Sequence, residues 1–117
     1  MFTLDTESHN KTIIVRYQGT LLLQDAIALR DELEKLLLAD NVAQVVIDLS
    51  EVHEVDSSGI GALVSADTLG RSRGRGLILL SPSQQVEQIL KDVDIEGFLP
   101  SLANEHELES QLPDVLE

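Results

Sequence analysis

Between Val45 and Val64 the chain reads VVIDLSEVHEVDSSGIGALV, and this stretch limits the possible folds more than any other. Val45-Val46-Ile47 opens it as an apolar, β-branched run of the kind that forms a buried strand. The sequence then turns polar and acidic from Asp48 to Glu54, reaches Asp56-Ser57-Ser58-Gly59, and continues into a helical pattern through Ile60, Ala62, Leu63 and Val64. A strand that feeds a hydroxyl pair into a helix start belongs to α/β architecture. It also places those hydroxyls beside unpaired backbone N–H groups and the positive end of a helix dipole.

The rest of the chain agrees with that class. Phe2 and Leu4 alternate with polar residues as in a short edge strand, and His9-Asn10-Lys11 reads as a turn. Thr12 to Gln18 is a second strand that Gly19 is expected to break. Leu21-Leu22-Leu23 then leads into an amphipathic helix from about Asp25 to Ala39, with Ala26, Leu29, Leu33, Leu36 and Leu37 on its apolar side. The Val45–Leu49 strand is followed by a helix over about Ser57–Leu69, closed by Gly70 and Gly74. Leu77–Leu80 is a continuous apolar strand, as expected when both faces are covered. Ser81-Pro82-Ser83-Gln84 is a helix start with Ser81 as cap, and Val86, Ile89, Leu90 and Val93 form that helix's stripe. Gly97-Phe98-Leu99-Pro100 reads as a last, edge strand. Asn104 and Glu107 open a final helix that includes Leu108 and Leu112 and stops at Pro113. The expectation is one domain over residues 1–117: a mixed, mostly parallel sheet of four to five strands with about four helices.

Composition removes several functions. A net charge of −13, from 21 acidic and 8 basic residues, opposes nucleic-acid binding, which needs clustered Lys and Arg. The one basic cluster, Arg71, Arg73 and Arg75, is read as a helix C-terminus complementing its dipole, with a partner contact as the alternative. No cysteine is present, so thiolate metal sites and disulfides are absent. No apolar run has the length of a membrane span, and the first residues lack the build of a secretion signal. Membrane insertion is therefore not expected, and the localisation expected is cytoplasmic.

Candidate catalytic patterns fail on spacing. Gly59-Ile60-Gly61 lacks the third glycine of a dinucleotide fingerprint, because Val64 stands there, and it falls some ten residues past the expected end of the strand. Its better explanation is close packing of the first helical turn against a neighbour or a partner. His53, Asp56 and Ser57 are the residue types of a nucleophilic triad but are nearly contiguous, and no G-x-S-x-G elbow is present. His9, His53 and His106 lack metal-ligand spacing and are read as surface residues. The chain is expected to be no enzyme and to carry no cofactor and no metal.

Asp56-Ser57-Ser58-Gly59-Ile60-Gly61, preceded by Val46-Ile47-Asp48-Leu49, resembles the signature of the STAS family, in particular the bacterial anti-sigma factor antagonists. The resemblance extends over nearly the whole chain through the element order, the Gly19 break and the Ser81-Pro82 helix start. It implies that Ser57 is the phosphoacceptor of an anti-sigma factor that is itself a serine kinase. The unmodified protein would bind that kinase and free a sigma factor, and a metal-dependent Ser/Thr phosphatase would restore it. By the same analogy Asp56 would orient the hydroxyl or contact the kinase, with Ser58, Gly59, Ile60 and Leu22 on the partner-binding face. One departure stands out: the family's common G-E-L-D stretch is Gly19-Thr20-Leu21-Leu22 here, without either acid. Leu21, Leu22 and Leu23 could instead form an apolar docking patch. The alternative function is a STAS-like scaffold or accessory subunit of a transport or signalling complex, in which Ser57 only caps a helix.

Overall fold

A computed structural model of the chain describes residues 1–95 and 97–111. Five strands form one sheet in sequence order: β1 (Phe2–His9), β2 (Thr12–Leu21), β3 (Gln44–Val55), β4 (Gly76–Leu80) and β5 (Ser101–Leu102). β1 runs antiparallel to β2 through a turn in which Asn10 has φ 56°, and every later pairing is parallel. The helices are α1 (Leu23–Leu38), α2 (Ser57–Ser72), α3 (Gln84–Asp92) and α4 (Glu105–Gln111). The mixed sheet with four helices matches the fold expected from sequence; Leu112 and Pro113 lie outside the described residues.

Right-handed crossovers that advance steadily along a sheet deliver their helices to one face. The packing follows that rule. Val15, Tyr17, Val45, Ile47, Leu49, Leu77 and Leu79 point to one side, under Leu29, Leu33 and Leu37 of α1, Ile60, Leu63 and Ala66 of α2, and Val86 and Leu90 of α3. The alternate positions Ile14, Val46 and Leu80 point to the other side, where Leu108 of α4 covers them. Arg16 and Asp48 share that second face and pair at 3.0 Å; the same guanidinium also holds Glu7 of β1 and Glu105 of α4.

Several boundaries differ from the sequence reading, each for a local reason. β2 runs through Gly19 to Leu21; the glycine takes φ 126°, and a Cβ there would meet the Met1 carbonyl oxygen at 2.5 Å. β3 continues to Val55 instead of ending at Leu49. Beyond Asp48 it has lost β4 as a neighbour and pairs with β2 alone, so one edge accepts polar residues. Gly70 lies inside α2, packed against Leu37, and it is Gly74, at φ 71°, that turns the chain. The α3 cap is Ser83, whose Oγ accepts the Val86 N–H at 3.3 Å, and Ser81 instead takes φ 49° in the preceding turn. The last strand follows Pro100 and does not include it.

Candidate functional site

The parallel register sets Leu21 opposite Val55 at the ends of β2 and β3. The helices that leave those strands therefore start side by side, at Leu23 and Ser57. One carboxylate serves both starts. Asp56 is the N-cap of α2: its Oδ1 accepts from Ser58 N at 2.9 Å and Gly59 N at 3.2 Å, while its Oδ2 accepts from Leu23 N at 3.1 Å, the first residue of α1. The double duty has a cause in the sequence. Leu22, at the cap position of α1, has no side-chain acceptor to offer.

Ser57 is then the first residue of α2, as the expected helix bounds had it, and not the cap that the alternative reading made of it. Its side chain is exposed, and among the described residues no hydrogen bond engages its hydroxyl. Ser58 is half-buried. Gly59 is buried because Leu21 lies directly beneath it: a Cβ there would come within 2.5 Å of Leu21 Cγ and of the Leu21 carbonyl oxygen. Ile60 is 2% exposed and belongs to the core. Of the residues expected on the docking face, Asp56, Ser57, Ser58 and Leu22 reach the surface, whereas Gly59 and Ile60 support it from below. Leu21 is likewise buried, so the leucine patch expected at 21–23 is replaced by a different pair, Leu23 and Ile27, one turn apart on α1 and 66% and 61% exposed.

Asp25 closes the α1 side of the site, a residue the sequence reading passed over as the start of the helix. Its Oδ2 accepts from Leu22 N at 3.0 Å and from the Thr20 hydroxyl at 2.7 Å, and its Oδ1 pairs with the Met1 ammonium at 2.9 Å. Burial pushes this carboxyl up, yet the Leu22 N–H, the Thr20 hydroxyl and the ammonium outweigh it and hold it below its ordinary value. The signal was present in sequence: an acid three residues past a helix start is half of a capping box.

Two grooves flank Ser57. One, of about 230 Å³, lies between α1 and α2 and is lined by Leu23, Ala26, Ile27, Arg30, Ser58, Gly61, Ala62 and Ser65. The other, of about 470 Å³, starts at His53, Glu54 and Val55 and runs along Gln84, Gln85, Gln88 and Ile89 of α3. The triad suggested by residue type does not assemble, since the Asp56 carboxylate is engaged by backbone N–H groups. His9 is half-buried beside Glu7, and His53 and His106 are exposed and apart from it in the chain. The glycines do follow closely on the strand, because β3 ends at Val55; the third glycine of a dinucleotide fingerprint is still missing. The arginine cluster divides its work. Arg71 pairs with buried Asp67 at 2.8 Å and lies over the Phe98 ring, while the Arg75 side chain, beyond the end of α2, donates to the Leu37 and Ala39 carbonyls and so closes the C-terminus of α1; its backbone N–H donates to the Gly70 carbonyl of α2 at 2.8 Å.

Residues 3–108 match the family model of the STAS domain. Among solved structures, the anti-sigma factor antagonist SpoIIAA in its unphosphorylated form superposes with a TM-score of 0.75 at 18% identity, covering 95% of this chain and 96% of that one. The phosphorylated form of SpoIIAA, a Bacillus cell fate determinant, gives 0.69 at 17% identity, covering 95% and 99%. An anti-sigma factor antagonist from Mycobacterium paratuberculosis gives 0.77 at 19% identity, covering 94% and 93%. At these identities the likeness is one of fold.

Proposed function

The chain belongs to the STAS domain family, and from that premise we propose that it is an anti-sigma factor antagonist switched by phosphorylation of Ser57. The unmodified form binds an anti-sigma factor serine kinase in the cytoplasm and releases a sigma factor. Phosphate on Ser57 ends that binding, and a metal-dependent Ser/Thr phosphatase reverses the change. The protein acts by binding and not by catalysis. The observation that carries this reading is the separation of duties at the helix start: Asp56 does the capping, which leaves the exposed Ser57 hydroxyl with no structural work.

A phosphate adds about −1.5 to −2 charges. At the first position of α2 it meets the positive end of the helix dipole, so the fold tolerates it. Asp56 and exposed Glu54 already make the surface acidic, so a partner seated flush on it experiences added repulsion. One like-charge pair about 6 Å apart at an effective dielectric of about 20 costs roughly 3 kcal/mol, or about two decades of affinity. That is enough for an off-switch.

The test is incubation with a purified serine-kinase anti-sigma factor and ATP, with the phosphate located by mass spectrometry. Ser57→Ala is expected to stay bound to the kinase. Ser57→Asp is expected to bind about a hundredfold more weakly with an unchanged melting temperature, and equal affinity of the two variants would contradict the switch. Ser58→Ala is expected to have the milder effect. A second reading, an unphosphorylated scaffold or accessory subunit, draws on the missing acids at Thr20 and Leu22; stable binding with Ser57 unmodified after kinase treatment would favour it.

A further inference from the structure

Two glycines stand two residues apart at the start of α2, and only one of them is explained from within the chain. Gly59 is required by Leu21. Gly61 is exposed, its backbone has no left-handed φ, and a Cβ added to it would find nothing within 4 Å among the described residues. Glycine is among the poorest residues for a helix interior, so a glycine that no neighbour requires leaves open space that the fold itself does not use.

That space is the floor of the groove between α1 and α2. Its walls are Leu23 and Ile27, two of the most exposed large apolar side chains among the described residues. One end reaches Ser58, next to Ser57. Arg30 is the one cation among the described residues that line the groove; a terminal nitrogen of its guanidinium donates to Asp31 at 3.3 Å, while its Nε lies 3.8 Å from Glu34 and makes no hydrogen bond among the described residues. A site with apolar walls, no side chain on its floor and a cation in its lining fits an aliphatic side chain accompanied by an acceptor. A second copy of the chain is the wrong occupant, because it would set −13 against −13.

We infer that the α1–α2 groove is the seat for an aliphatic side chain of the kinase partner, which packs on bare Gly61 between Leu23 and Ile27 while a carboxylate or carbonyl oxygen of the same segment meets Arg30. This rests on the reading of the protein as a kinase-binding antagonist, and it deepens that reading by making Gly61 and Ile27 determinants of partner choice separate from the phosphoacceptor. The groove is occupied when Ser57 is unmodified, so docking there brings the hydroxyl to the kinase.

The test is calorimetric titration of a purified serine-kinase anti-sigma factor into wild type, Gly61→Ala, Ile27→Ser and Lys35→Ala, alongside their melting temperatures. Gly61→Ala is expected to melt at or above wild type and to bind about tenfold or more weakly, with slower phosphorylation of Ser57. Ile27→Ser is expected to fold normally and bind more weakly, and Lys35→Ala, outside the groove, to behave as wild type. Wild-type affinity for a folded Gly61→Ala protein overturns the inference while leaving the antagonist reading intact. A wild-type dimer in light scattering that Gly61→Ala abolishes also overturns it, by identifying a second copy as the occupant. If wild type neither binds the kinase nor accepts phosphate, both readings fall.

Discussion

Asp56 shows how a single side chain can be committed before any partner arrives. Its two oxygens satisfy first-turn N–H groups of two different helices, and α1 has no cap of its own because Leu22 occupies that position. An N-cap is worth about 1 kcal/mol. Asp56→Ala is therefore expected to lower stability by about 2 kcal/mol in urea unfolding, more than loss of one ordinary cap. In that background Leu22→Asp should recover part of the loss by giving α1 its own acceptor; failure to do so would mean that Leu23 N gains little from Asp56. Asp25 makes a second residue-scale prediction, through pH. Its folded pKa lies below the unfolded one, so its contribution to stability is complete above the ordinary carboxylate range of about 4 and is lost as pH falls through the folded value. Asp25→Asn should consequently show a shallower loss of stability on acidification than wild type, measured by urea unfolding across pH.

At the scale of elements, α2 is the informative case. The D-S-S-G-I-G string identified the helix start correctly, because capping residues before an apolar run have a local cause that a sequence displays. The division of roles within it was not legible. Which serine follows the cap depends on where β3 ends, and β3 was expected to end at Leu49 because its apolar run stops there. It continues to Val55 because β2, a neighbour distant in sequence, still pairs with it. The same limit explains Ser83 replacing Ser81 as the cap of α3, and Arg75 serving α1. Long-range partners decide such positions, and periodicity does not record them. The two glycines of α2 turn this distinction into a measurement. Gly59→Ala forces a Cβ against the Leu21 backbone and side chain and should cost about 1–3 kcal/mol, an overpacking penalty. Gly61→Ala meets nothing among the described residues and should gain up to about 1 kcal/mol from helix propensity. Opposite signs for the same substitution two residues apart, read from thermal unfolding, are the expected result.

On the scale of the whole molecule, sequential strand order gives the sheet two unequal faces. Three helices cover one, and among the described residues only α4 covers the other, through Leu108 and the Arg16–Glu105 contact. The same order gathers the starts of α1 and α2 at one end of the sheet, so the exposed Ser57 hydroxyl, the shared cap and the α1–α2 groove all lie on one end surface. The net charge of −13 surrounds that surface with a negative potential, and such a field acts mainly on how fast an oppositely charged partner arrives. Salt separates this long-range term from the contacts. Exposed charges more than a Debye length apart, about 10 Å at 0.1 M, no longer steer the encounter, whereas the apolar packing proposed at Gly61 would be little affected by ions. Raising ionic strength from about 0.05 to 0.5 M in stopped-flow mixing with the kinase should slow association by about tenfold or more and change dissociation little. Under the proposed switch, phosphate on Ser57 acts at the contact itself, so its effect should persist in dissociation at high salt. A switch that vanished at high salt would mean that the phosphate acts only through the distant field, and the flush docking proposed at the mouth of α2 would then be wrong.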